Sequence, residues 1–221
     1  RVVVAARRER ELERVADEIR VDGGTAETMA LDVANTSATV ARLRDWDDAD
    51  EIDSVIANAG VGAAHDADPS SWEAIADACH INYCGAAATL TALLPRMMKR
   101  RRGHLVGVGS LASFGALPSS AAYCSPKAGL RMLLDCLRLD ASASGVTVTA
   151  LHLGFVDTPM LAHAKHPTPQ RVSAEKAAKV MADAIDRRTD ELTFPRALGI
   201  AAFAAGRLPL SVRVWLASRY R

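Results

Sequence analysis

Tyr123 and Lys127 stand four residues apart in the run Tyr123-Cys124-Ser125-Pro126-Lys127. On a helix that spacing puts both side chains on one face. A phenol with a pKa of ~10 exchanges protons poorly at neutral pH, and an ammonium held beside it favours the phenolate. Such a pair can move a proton to or from a carbinol or carbonyl oxygen. Ser110 lies 13 residues earlier, after an apolar run, and its hydroxyl can donate a hydrogen bond to the same oxygen. Taken singly, these residues are equally a half-buried Tyr, a surface Lys and a turn Ser.

The elements that must position them alternate. Strand patterns fall at Val2–Ala6, Thr28–Val33, Ser54–Ala57, His104–Val108, Val146–Leu151 and Glu191–Phe194. Helical patterns run from Glu9 to Arg20, Thr36 to Trp46, Ala121 to about Ser142, and from an N-cap at Ser173 to Ile185. One long helical region is expected from Pro69 and Ser70 through Leu90, Leu93 and Leu94 to Met98. Strand–helix alternation with short links predicts a doubly wound parallel sheet between two helical layers. Function in such a sheet collects at the carboxyl ends of the strands. Here those ends read Arg7-Arg8, Asp32-Val33, Asn58-Ala59-Gly60, Ser110 and Gly154 to Thr158.

Composition narrows the classes. The 221 residues fit one domain, and 49% hydrophobic with 24% charged excludes a disordered chain. A net charge of +1 gives no broad basic surface for nucleic acid. No run approaches the ~18 apolar residues of a membrane span. With no signal pattern either, a cytoplasmic protein is expected. Cys79, Cys84, Cys124 and Cys136 form no C-x-x-C and read as buried, reduced thiols. His163 and His166 are spaced i, i+3, but Pro167 and Pro169 follow, so no metal site is expected. The run Lys99-Arg100-Arg101-Arg102 reads as a solvated helix C-terminus rather than a phosphate site. The tail, residues 198–221, mixes Phe203 and Trp215 with Arg207, Arg213, Arg219 and Arg221. A membrane-surface helix is one reading; packing over the active site or against another subunit is the plainer one.

With these motifs in this order, the chain resembles the short-chain dehydrogenase/reductase family. Asp32-Val33, Asn58-Ala59-Gly60, Asn82 in Ile81-Asn82-Tyr83, Ser110, Tyr123 to Lys127, and Leu153-Gly154-Phe155-Val156-Asp157-Thr158 match from residue 2 to about 195. The resemblance implies a single Rossmann-like, three-layer α/β/α domain over residues 1–221, with Tyr123 as catalytic acid/base. Lys127 would lower its pKa and bind the nicotinamide ribose, Ser110 would orient substrate, and Asn82 would hold a water-mediated proton relay. Asp32 and Val33 would meet the adenine, and Asn58, Ala59 and Gly60 the ribose region. Gly154, Val156 and Thr158 would line the cofactor, Thr158 at its carboxamide or phosphate end. A homodimer or homotetramer through the helices of Asn82 and Tyr123 is also implied. Leu90, Leu93, Leu133 and Leu137 fit that interface and fit an internal core equally.

The cofactor follows from charge. Where a carboxylate would hold the ribose hydroxyls of NAD, the sequence has Ala6 followed by Arg7 and Arg8, whose guanidinium groups suit a 2′-phosphate. NADP(H) is therefore expected, with NAD(H) the alternative. Leu153-Gly154 stands where the family has Pro-Gly, and the glycine-rich turn with its preceding strand is absent. One βα unit of about 25–30 residues is expected upstream, its strand lying between Val2–Ala6 and Ser54–Ala57. The lid from Pro159 to Val172 is short and carries Met160, Leu161 and Ala162, which suits a partly apolar alcohol or carbonyl substrate. The expected activity is interconversion of an alcohol and a ketone or aldehyde; the alternative is a catalytically inactive scaffold or regulatory protein.

Overall fold

The computed structural model describes residues 1–62, 71–161 and 168–218. Strand β1 (Val2–Ala6) leads through helix α1 (Glu9–Val21) to β2 (Ala26–Ala30). α1 turns Leu12 and Ala16 inward and carries Glu9 and Glu11 in its first turn, where carboxylates suit the helix dipole. α2 (Thr36–Ala49) is capped by Asn35, whose side chain accepts the Ala38 N–H at 3.1 Å, and it leads to β3 (Ser54–Ala57). Next come α3 (Trp72–Cys79), a π-helical stretch (His80–Gly85), α4 (Ala86–Thr91), α5 (Leu94–Arg100) and β4 (Gly103–Ser110). A 3₁₀ turn (Leu111–Ser113), α6 (Ala121–Ala141) and β5 (Val146–Leu153) follow. The chain continues through β6 (Val156–Asp157), β7 (Val172–Ser173), α7 (Ala174–Asp186), β8 (Glu191–Phe194), α8 (Arg196–Gly206) and α9 (Leu210–Ala217).

Every strand pairing among the described residues is parallel. β3-β4-β5-β8 form one sheet, β1-β2 a second and β6-β7 a short third. β1 and β3, between which an upstream strand is expected, do not pair with one another. β4 is buried along all eight residues, as a central strand covered on both faces must be. Its side chains alternate between two cores. Leu105 joins Leu90, Leu93, Leu130 and Leu134 beneath α4 and α6, while Val106 and Val108 join Leu151 and Ala184 beneath α7. The result is the expected Rossmann-like α/β/α layering. No helix among the described residues is long and apolar enough to cross a membrane.

Several boundaries differ from expectation. β2 ends at Ala30 because the chain turns at once: the Asp32 carboxylate accepts the Ala34 N–H at 3.0 Å and its carbonyl accepts the Asn35 N–H. Asp32 and Val33 thus lie just beyond the strand. The long helix breaks at Ala92–Leu93, since Pro95 has no N–H to donate and its ring would meet the carbonyl of Thr91. Pro69 and Ser70 lie outside the described residues; Ser71 caps α3, accepting the Ala74 N–H. β4 extends to Ser110, which is its last residue. Leu90, Leu93 and Leu137 are buried in the core, with Leu133 packed against it, so the internal reading of these leucines holds. Cys136 is exposed and the other three cysteines are only partly buried, since the inward stripe of α6 is Leu130, Leu134 and Leu137. Ala162, His163 and His166 also lie outside the described residues.

The basic run at residues 99–102 closes α5 as an exposed helix end, with Arg100 alone drawn partly inward. Arg100 pairs at 2.8 Å with Asp47, whose side chain is 4% exposed, and Arg102 pairs with Glu51 at 2.7 Å. Arg96 also reaches Asp47, and the Ile52 N–H donates to the same carboxylate. Burial alone pushes the Asp47 carboxyl up, but the Ile52 N–H, Arg100 and Arg96 together hold it below its usual value. These bonds tie α2 to α5. Asp47→Ala leaves Arg100 without its partner and is expected to destabilise the fold by about 2–4 kcal/mol in urea unfolding. The contribution is complete above the unfolded carboxyl pKa of ~3.9 and disappears as pH falls through the lower folded value. A loss below about 0.5 kcal/mol would show the cluster to be incidental.

Candidate active site

The carboxyl ends of β3, β4 and β5 share one edge because these strands are parallel and adjacent. Ser110 closes β4 there, 8% exposed, its Oγ accepting the Ala112 N–H at 3.2 Å. α6 returns across the same edge. Its first turn carries Tyr123, and Lys127 follows one turn later with its side chain buried. The Ser110 hydroxyl lies close enough to the Tyr123 phenol to favour its ionised form. The Lys127 Nζ donates to the Val108 carbonyl at 2.9 Å, two residues before Ser110 on the same strand.

Protonation is set mainly by burial. It pushes the Tyr123 phenol above its ordinary value, with the nearby Ser110 hydroxyl working the other way. Burial also brings Lys127 down to about 8. The ammonium expected to lower the phenol is engaged with a backbone carbonyl, and the group pulling the phenol down is Ser110. Val108 has no signature in the sequence, because every residue carries a carbonyl.

The loop after β3 completes the cluster. Asn82 is fully buried in the π-helical stretch, the kind of widened turn that recurs at functional sites. Its Oδ1 accepts the Val61 N–H at 2.8 Å and its Nδ2 donates to the Val61 carbonyl at 2.9 Å. A Cβ on Gly60 would lie 3.0 Å from Asn82 Oδ1 and 3.5 Å from Lys127 Nζ. Glycine there keeps open the backbone beside Lys127. Asn82 thus acts first as the clamp on this loop. Asn82→Ala leaves both Val61 backbone groups unpaired and is expected to cost about 2–3 kcal/mol in chemical denaturation. Asn82→Asp, which keeps the acceptor for the Val61 N–H, should lose less; equal losses would deny the two-bond clamp.

The other candidates sit at strand ends along the same direction. Arg7 and Arg8 follow β1, both exposed, and make no ion pair among the described residues. Val33 is pressed against the π-helical stretch: a Cβ on Gly85 would come 2.8 Å from its carbonyl. Asn58 and Ala59 are exposed directly after β3. After β5, the Gly154 N–H donates to the Phe194 carbonyl at 2.8 Å, and a Cβ there would stand 3.1 Å from Leu198 and Pro195. A side chain at Gly154 would have to displace these neighbours by a few tenths of an ångström. Val156 lies in β6, and the Thr158 hydroxyl donates to its carbonyl at 3.4 Å. Ser110, Tyr123, Lys127, Asn82 and Gly60 are therefore brought together, while Arg7, Arg8 and the Asp32 turn belong to the separate β1-β2 unit. Behind Ser110 the sequence reading missed His152, buried against the edge of Phe114 and held neutral, its pKa brought down to about 4 by burial.

Comparison with known proteins identifies the family. A family model described as short chain dehydrogenase matches residues 1–168. An "uncharacterized oxidoreductase" of Myxococcus xanthus is 40% identical over 210 residues, covering 95% of this chain and 83% of that protein. Another, of Mycobacterium bovis, is 32% identical over 206 residues, and this chain spans 59% of its length. Among solved structures, a short-chain dehydrogenase from Sphingobium yanoikuyae in complex with NADPH superposes with a TM-score of 0.78 at 23% identity, covering 99% of this chain and 86% of that one. With its strand-end motifs, its hydroxyl pair and these relatives in accord, the chain belongs to the short-chain dehydrogenase/reductase family of oxidoreductases.

Proposed function

We propose that this protein is an NADP(H)-dependent oxidoreductase that interconverts an alcohol and a ketone or aldehyde, with Tyr123 as the acid/base. One observation carries the reading: at the carboxyl end of the central strand the Ser110 hydroxyl stands close enough to the Tyr123 phenol to favour its ionised form. Two O–H groups meeting there can hold a single carbonyl oxygen, one as donor and one as proton source. The space beside Lys127 suits a nicotinamide ribose, because Gly60 offers no side chain where a Cβ would stand 3.5 Å from Nζ. A nicotinamide held there supplies or accepts the hydride. As the carbonyl carbon gains a hydride, its oxygen takes the Tyr123 proton, and the reverse sequence oxidises an alcohol. Ser110 holds the oxygen in line, and Asn82 holds the Gly60–Val61 backbone in place.

Exposed Arg7 and Arg8 at the end of β1 favour a phosphorylated ribose. Met160, packed over Gly62 so that a Cβ would lie 3.3 Å from its Cγ, supports a substrate with an apolar part. The test is a panel of ketones, aldehydes and alcohols with NADPH, NADP, NADPH-free and NADH controls, on the full chain. Loss of NADPH absorbance with at least one carbonyl is expected. Absence of both cofactor binding and turnover would leave the scaffold reading in its place.

A further inference from the structure

Residues 196–221 contain five arginines and no aspartate or glutamate, although the whole chain is nearly neutral. α8 uses one side for the body of the protein: Gly199 lies against Thr193, and Gly206 meets the backbone of Phe114. Its Ile200 is 63% exposed. α9, which Pro209 sets off from α8, is turned inside out. Its single charged residue, Arg213, is the more buried one, with a buried Nε that has no hydrogen-bond partner. Leu210, Val214 and Trp215 are each at least half exposed. Ordinary surface helices of this chain do the reverse, as α1 does with Leu12 and Ala16 inward.

We propose that α9, with the outer side of α8, docks on an anionic lipid surface. Exposed Leu, Val and Trp side chains of α9 with the exposed Arg207 just before it match the boundary between headgroups and acyl chains, where the rings and aliphatic groups insert and a guanidinium group meets phosphates. Arg207 already lies over the Phe203 ring at 4.0 Å, a cation and an aromatic face presented together. Eight residues of helix extend only about 12 Å, so α9 lies in the interface and cannot span the bilayer. A second copy of this chain is the poorer occupant. A two-fold contact joins the same patch to itself, and here it would bring the exposed Arg207 of each copy to the same face with no carboxylate of residues 196–221 to offset the charge. An anionic surface satisfies both the apolar and the cationic groups.

Flotation of the full chain with phosphatidylcholine vesicles, with and without phosphatidylglycerol, tests this. The protein should float with the anionic vesicles and not with the neutral ones. Raising salt to about 0.5 M should release it, since the Debye length then shrinks well below its ~8 Å physiological value. The Val214→Ser/Trp215→Ser double variant should bind about tenfold less with an unchanged circular dichroism spectrum. A blue shift of emission on vesicle addition should be lost in Trp215→Phe, which keeps the ring and the fold. Equal flotation of wild type and variant, or none by either, would overturn the proposal. So would light scattering that shows a dimer made monomeric by the variant, with no vesicle binding, because the face would then be an interface between copies.

Discussion

Tyr123→Phe is expected to lower kcat for carbonyl reduction by about 10²–10⁴-fold while NADPH still binds with nearly unchanged affinity. The substitution removes one oxygen and leaves the ring packed in the first turn of α6. Its effect therefore isolates proton transfer from positioning. Ser110→Ala should lose less, because Ser110 donates a hydrogen bond without giving up its proton. A companion pH profile tests the electrostatics. Burial brings Lys127 down to about 8, so the ammonium that donates to Val108 is present at pH 7 and is lost as pH rises through that value. kcat/KM for reduction should stay level up to about pH 7 and fall above 8. Full activity in Tyr123→Phe would remove the phenol from the mechanism. An intact profile to pH 10 would instead mean that the bound state restores the usual lysine value.

What the sequence revealed and what it concealed separate along physical lines. β4 was legible because a strand covered on both faces is a continuous apolar run, and α6 because Leu130, Leu134 and Leu137 recur at helical spacing. Tyr123 and Lys127 were legible as one helix face. Their electrostatic relation was not, since it depends on which acceptor Lys127 finds, and that acceptor is the carbonyl of Val108. Asn82 was singled out by motif, but its two bonds to Val61 join residues 21 apart and leave no trace in local pattern. The end of β2 was misplaced because Leu31, Asp32 and Val33 continue an apolar alternation that the Asp32 side chain interrupts by taking the Ala34 N–H. In the run at residues 99–102 local charge told of an exposed helix end, while the partner that Arg100 finds in α2 about 50 residues earlier left no mark in the sequence. Long-range polar pairs are the part that periodicity cannot see.

Cofactor choice is where a single pair of side chains should change the chemistry most visibly after Tyr123. Arg7 and Arg8 follow the edge of β1 at the start of α1, where cations oppose the helix dipole, and neither has an ion-pair partner among the described residues to offset that. A 2′-phosphate would supply the missing anion. Both side chains are exposed, so each contact is screened by solvent and salt and is worth less than a buried pair. Arg7→Ser/Arg8→Ser should therefore raise KM for NADPH by about 10–100-fold, with kcat changed little, because the lost contact is the same in ground and transition states. NADH, which has no phosphate at that position, should change by no more than about twofold. The wild-type KM for NADPH should climb with ionic strength more steeply than that for NADH, and the difference should vanish in the double variant. Parallel losses with both cofactors would mean that the arginines shape the start of α1 and do not read the phosphate. A wild-type kcat/KM that favours NADH would place the discriminating carboxylate elsewhere, and Asp32, exposed just past β2, which pairs with β1, is the acid to replace next.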